Sequence, residues 1–173
     1  VREAAASIGA SLAGVRVRFD DRGHHRPGYK FNEWELKGVP IRLEIGPRDL
    51  QSNQVVVYRR DSGEKTPVAI AELGARLPAL LEQIQTNLYD QALEFRKDNT
   101  FSPANYDELK EIAIGVKGFA EAPWCGGGAC EEKVKAETKA TIRVLPLDPE
   151  PVEGNCIVCG APGTEKAIWA QSY

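Results

Sequence analysis

The sequence has no methionine and only two histidines, His24 and His25. It also lacks the short motifs that cradle a nucleotide phosphate or present a serine nucleophile. There is no Gly-x-x-x-x-Gly-Lys-Ser loop, no Gly-x-Gly-x-x-Gly behind a strand pattern, and no Gly-x-Ser-x-Gly. Carboxylates are plentiful, but nothing in their spacing fixes a catalytic pair, so the chain offers no active site of its own. No apolar run approaches the roughly 18 residues of a spanning helix. The opening VREAAASIGASLAG has no signal-peptide apolar core. A cytosolic chain outside the membrane is expected. With no initiator methionine and a helical pattern from the first residues, it reads as a piece of a longer protein. Repeats and low-complexity tracts are absent.

What is present fits a globular protein, with 173 residues, 42% hydrophobic and 27% charged. That length holds one large domain or two small ones, and two are expected. The net charge of −3 argues against strong non-specific attraction to nucleic acid, yet charge is uneven along the chain. Between Arg16 and Arg60 ten Lys or Arg stand against six Asp or Glu, a local +4, which leaves −7 elsewhere. A basic region in an acidic chain is a candidate polyanion site, or else a solvated charged face.

Periodicity predicts a helix over Arg2 to Ala13, stopped by Gly14, and a half-buried strand over Val15 to Phe19. DDRGHHRPGYK reads as a polar loop with a Pro27-Gly28 turn, followed by a short helix from Phe31 to Lys37 that ends at Gly38. IRLEIG alternates as a strand. QVVVYRR and KTPVAI, joined by the DSGE turn, read as a hairpin, with Pro67 favouring an edge. Together these elements imply an α/β sheet of mixed direction. From Pro78 onward, Leu80, Ile84, Leu88, Ala92 and Phe95 recur at helical steps, a rod joining two modules. The expected domains are 1–98 and 99–173, with a further helix near Asn105 to Ile114 and a strand in VKGFAEAPWC.

All four cysteines lie in the last third, Cys125 and Cys130 as C-x4-C, Cys156 and Cys159 as C-x2-C. Two short-spaced pairs are how a structural zinc ion is held, with glycines turning the backbone around it. Disulfides are the alternative, disfavoured in a cytosolic chain. Four thiolates fill a tetrahedral shell and leave no open position for water, so the ion is expected to be structural and to stabilise a small domain.

One stretch is dense with mixed chemistry: GYKFNEWELKGVPIRLEIGPRDL, residues 28–50, combines aromatics, both signs of charge, glycines and prolines. Joined to the long helix and the two cysteine pairs, this block resembles the C-terminal part of prolyl-tRNA synthetase in its archaeal and eukaryote-like form. The resemblance covers nearly the whole chain. It implies a mixed-sheet anticodon-binding domain of the class II synthetase type, then a smaller α/β zinc-binding domain. It also implies that the first strand of the former and the catalytic core lie upstream. That core would use ATP and Mg2+ to activate proline and ligate it to tRNA(Pro), commonly as a homodimer. A stand-alone zinc-stabilised module that binds RNA or protein without catalysis is the alternative.

Proline anticodons end in two guanines, and RNA loops are read by stacking bases on aromatic planes and hydrogen-bonding their edges. Carried over from the resemblance, Phe31 is the stacking aromatic and Glu35 the acceptor for guanine N–H groups. Arg42, Arg48 and Lys65 are basic contacts, and Asp49 is a further acceptor. Read blandly, Phe31 and Trp34 are ordinary core aromatics, the more so Trp34, Glu35 and Lys37 end a solvated helix, and Arg42 pairs with Glu44 for little energy. In the family a C-terminal tyrosine, here Tyr173, reaches toward the catalytic core; a frayed end is the alternative.

Overall fold

The computed structural model describes residues 1–148 and 151–172. The chain divides into two compact units, Val1–Ala92 and Leu93–Tyr173, and the division falls within the longest helix.

The first unit runs α1 (Arg2–Ser11), α2 (Pro27–Leu36), β1 (Ile41–Glu44), α3 (Pro47–Gln51), β2 (Gln54–Arg59), β3 (Lys65–Ala69) and α4 (Leu73–Asp98). Its sheet has the order β1-β2-β3 and is antiparallel throughout. Short connections dictate this, since a parallel crossover needs about a dozen residues or more. Leu43 faces Val57 and Val55 faces Val68 across the strands, and these side chains pack with Ile8, Leu12, Leu73 and Leu77 into one core. The opposite face carries Arg42 across from Tyr58, and Tyr58 across from Lys65. Strand alternation thus separates an apolar floor from a row of polar and aromatic side chains.

The second unit runs β4 (Thr100–Phe101), α5 (Tyr106–Glu111), a π-helical turn (Ile112–Val116), β5 (Phe119–Trp124), α6 (Gly128–Thr138), β6 (Ala140–Val144) and β7 (Glu165–Gln171). The strand order is β4-β5-β7-β6, with β4 parallel to β5 and the other pairs antiparallel. Alternation along β5 buries Ala120, Ala122 and Trp124. Trp169 is fully buried and meets Trp124 edge-on, with ring centroids 6.3 Å apart. The α/β class holds in both units, and the mixed strand direction occurs in the second sheet.

Several expected boundaries move. Val15 to Phe19 pairs with no strand among the described residues; Val17 and Phe19 are 44% and 41% exposed. Alternation marks a segment able to pair, but a strand exists only where a neighbour receives its hydrogen bonds. α2 begins at Pro27 rather than Phe31, because a proline whose fixed φ suits the first helical position starts the helix. α4 begins at Leu73, five residues before Pro78. Burial of Leu73, 1% exposed, outweighs the one hydrogen bond that an internal proline removes. Asn105 caps α5 by accepting the Glu108 N–H at 3.0 Å. Among the described residues no helix is long and apolar enough to cross a membrane.

Candidate functional site

In the first unit α2 presents Phe31 and Glu35 one helical turn apart, and β1 presents Arg42. The Arg42 guanidinium lies between two rings, 3.8 Å from the Phe31 centroid and 4.0 Å from that of Tyr58. It donates to Glu35 Oε1 at 2.8 Å and to Glu44 Oε1 at 3.0 Å. Lys65, next in the row across the sheet, donates to Glu44 Oε2 at 3.0 Å. Arg42 is therefore the hub, its guanidinium in cation–ring contact with both aromatics and bonded to two carboxylates. Burial pushes the Glu44 carboxyl up, but Lys65 and Arg42 outweigh it and hold the group below its ordinary value.

The structure brings Phe31, Glu35, Arg42 and Lys65 together, and adds Tyr58 and Glu44 to them. Tyr58 could have been found in the sequence: once QVVVYRR pairs with IRLE, alternation puts it on the Arg42 face. Arg48 and Asp49 make no hydrogen bond, ion pair or ring contact with this cluster. Asp49 Oδ2 accepts the Gly46 backbone N–H at 2.7 Å and so caps α3, while Arg48 is exposed on that helix. Trp34 is partly buried and donates from Nε1 to Asp20 Oδ2 at 2.9 Å, which ties the preceding loop to α2. Arg22 clamps the same tie, reaching Asp20 and Glu33 at 2.7 Å each. Its guanidinium holds the Asp20 carboxyl far below the usual range, against the opposing effect of burial.

In the second unit Cys125 follows β5 directly, Cys130 sits in the first turn of α6, and Cys156 and Cys159 lie on the loop before β7. Gly126 and Gly160 adopt φ of +74° and +75°, left-handed values that let each knuckle turn back on itself. The Gly160 N–H donates to Cys156 O at 2.9 Å, and the loop is pinned to β5 by Ile157 N to Pro123 O at 3.0 Å and Thr164 N to Trp124 O at 2.8 Å. The four sulfurs lie within 4.8 Å of one another. Cys125 to Cys130 and Cys125 to Cys159 are both 3.7 Å, and Cys130 to Cys156 is 4.0 Å.

A disulfide needs about 2.05 Å. Four thiolates bonded at 2.3 Å to one tetrahedral ion stand about 3.8 Å apart, so the donor set fits such an ion. Burial and the neighbouring thiols push Cys130 up to about 12. Burial also opposes ionisation of Cys156, but backbone N–H groups at Cys159, Val158 and Cys125 bring it down to about 7. The four cysteines can therefore hold a metal. Tyr173 lies outside the described residues.

Comparison with known proteins follows the same division. Residues 2–80 match the model of the anticodon binding domain, and residues 106–173 match that of the prolyl-tRNA synthetase C-terminal domain. The chain is 52% identical over 145 residues to a proline–tRNA ligase of Natranaerobius thermophilus, covering 84% of this chain and 30% of that protein. It is 44% identical over 159 residues to proline–tRNA ligase 2 of Bacillus cereus, covering 92% and 33%. With the proline–tRNA ligase of Lachnospira eligens it is 41% identical over 175 residues, covering 100% and 36%. The chain thus spans about a third of the length of these relatives.

Proposed function

The chain belongs to the prolyl-tRNA synthetase family, and from that premise we propose that it is the part of a proline–tRNA ligase that recognises the tRNA(Pro) anticodon. The observation that carries this reading is the stack of Phe31, Arg42 and Tyr58, with Glu35 bonded to the edge of the guanidinium. A base stacks on the Phe31 ring, and the Glu35 carboxylate accepts from guanine N1–H and its exocyclic amine. Arg42, bonded to Glu35 and 15% exposed, orients that carboxylate rather than reaching for RNA itself. Lys65, 50% exposed, and the exposed Arg48 supply positive charge at phosphate or guanine acceptors, with Asp49 at the α3 cap as a second acceptor.

The zinc ion we assign to Cys125, Cys130, Cys156 and Cys159 supplies a fixed tetrahedral anchor for two loops, and with its shell filled by sulfur it takes no chemical role. The functional domains we assign are 1–98 and 99–173. Proline activation with ATP and Mg2+ belongs to a catalytic core outside this sequence, in a cytoplasmic and dimeric parent enzyme. The ligase activity and the separate core rest on the relatives' names and on the share of their length that this chain spans; ATP, Mg2+, the cytoplasm and the dimer rest on the family resemblance alone. In that parent, Tyr173 reaches toward the core; its deletion is expected to impair adenylate formation while sparing anticodon binding.

The direct test is affinity for a proline-tRNA anticodon stem-loop with each guanine replaced in turn. Removing a bidentate pair is expected to cost about 1–3 kcal/mol. Equal affinity for the native and replaced loops would end the reading.

A further inference from the structure

Beyond the proposed guanine-reading cluster, the first unit carries a second set of surface rings, with His24 and Tyr29 exposed and His25 half-buried between them. The His25 ring stacks on Tyr29, with centroids 4.2 Å apart and planes 21° from parallel, and His24 packs on His25 at 4.1 Å. Tyr29 is 55% exposed although it opens a well-formed helix. The ladder is held in place from below, because the loop that bears the histidines is tied to α2 through Asp20, Arg22, Glu33 and Trp34. Around it the charge is positive. Segment 16–30 contains Arg16, Arg18, Arg22, Arg26 and Lys30 against Asp20 and Asp21, five minus two, or +3. Of these, Arg16, Arg18 and Arg26 are exposed and form no ion pair with any described residue.

Surface rings on a segment that also bears unpaired arginines have the chemistry of a single-strand platform, on which a base stacks while cations meet its phosphates. A protein partner would need an apolar or acidic complement, and nothing in the first unit favours that over RNA, the polymer already assigned to its neighbouring face. Tyr29 and Phe31, two residues apart, point to opposite sides of α2, so the two faces are separated by roughly the 10 Å width of a helix. That is within reach of one unpaired loop.

We infer that the His24–His25–Tyr29 ladder is a second contact for the same RNA, stacking an unpaired loop base outside the two guanines while Arg16, Arg18 and Arg26 meet the backbone. This rests on the anticodon reading for the identity of the RNA, not for the stacking itself. Burial and the positive neighbours His24 and Arg22 keep His25 below its ordinary imidazole value, which favours the uncharged, stackable ring near neutral pH.

The test uses the 173-residue chain and a proline-tRNA anticodon stem-loop, read by fluorescence anisotropy. His25→Ala with Tyr29→Ala should weaken binding about tenfold, within the range for one base–aromatic stack, and Tyr29→Phe should stay within about twofold. An abasic nucleotide beside the guanines should weaken binding to the native chain by a similar factor, and should add nothing in the double variant. Arg16→Ala with Arg18→Ala and Arg26→Ala should flatten the salt slope by roughly 0.7 for each phosphate no longer neutralised. An unchanged thermal melt establishes that these surface changes leave the fold intact. Native-like affinity of the double variant, or an abasic penalty equal in both proteins, overturns the inference. Replacing the guanines in both backgrounds separates the two claims. If guanine replacement costs affinity while the ladder variant is neutral, only the ladder falls. If the ladder variant weakens binding while guanine replacement is neutral, the anticodon reading falls and the ladder stands.

Discussion

Arg42→Ala tests the central claim, that this residue positions Glu35 rather than binding RNA directly. The substitution removes two cation–ring contacts, each about 0.5–1 kcal/mol at a partly exposed site. It also removes ion pairs to Glu35 and Glu44, whose side chains are 37% and 22% exposed, each about 0.2–1 kcal/mol. The sum is of order 2 kcal/mol of folding stability, measurable by urea denaturation. For binding, inosine in place of guanine is the informative probe, because it lacks only the exocyclic amine. With Glu35 held by Arg42, loss of that donor should cost about 1 kcal/mol or more. With Glu35 released, guanine and inosine loops should bind nearly alike, both more weakly than the guanine loop binds the native chain. Arg42→Lys keeps the charge but not the planar fork, and should fall between the two. The reasoning is refuted if Arg42→Ala retains the full guanine-over-inosine preference, or if its unfolding free energy stays within about 0.5 kcal/mol of the native chain's.

Other perturbations reach other parts of the molecule. Elemental analysis should find one zinc per chain. A cobalt-loaded sample should show thiolate charge transfer that weakens with each Cys→Ser change, and absence of both signals would remove the ion. Asp61, its side chain fully buried beside Arg59 at 2.8 Å and Asn87 at 2.7 Å, has its carboxyl drawn down to about 2, chiefly by Arg59. A depressed carboxyl stabilises the fold above the unfolded value near 4. About 2 kcal/mol should therefore be lost between pH 4 and pH 2, and Asp61→Asn should flatten that segment of the pH profile. Gly118→Ala would set a Cβ 2.7 Å from Phe101 Cε2 and 2.9 Å from the Asn99 carbonyl, and should destabilise by about 1–3 kcal/mol in a urea melt. Glu44→Gln should leave the guanine preference nearly intact, since Glu44 touches Arg42 and Lys65 rather than Phe31.

The metal-capable centre was legible in the sequence because thiolate spacing is local: each pair sits on one tight turn, and only the meeting of the two turns is tertiary. The hairpin and the apolar faces of β1 and β2 were legible too, since alternation is a property of adjacent residues. What failed depended on partners. Among the described residues Val15 to Phe19 carries a strand pattern with no strand beside it, Pro27 read as a turn where it opens a helix, and Pro78 read as the start of a helix that begins five residues earlier. The hub at Arg42 lay between these cases. Its residues were named, but the sequence could not tell a simple pairing with Glu44 from a cluster that also takes in Glu35 and Phe31, and the structure shows the larger cluster. Arg42 bonds Glu44 and Glu35 while two rings enclose it, an arrangement that needs the cross-strand register of Tyr58.

That arrangement bears on how an acidic chain, net −3, can read a polyanion. In the reading cluster the cations are already matched: Arg42 and Lys65 face Glu35 and Glu44, two against two. Such a cluster has little net field and, apart from the half-exposed Lys65, contributes little to non-specific attraction. What it can accept is a group that offers N–H donors at the edge of a ring, which among the bases favours the Watson–Crick edge of guanine. The uncommitted cations, Arg16, Arg18, Arg26 and Arg48, lie outside it, where they can meet a backbone without blurring the choice of base. On the proposed reading, affinity and specificity are carried by different residues. Removing one of the outer arginines should shift all RNAs together, and disturbing the cluster should change which RNA is preferred.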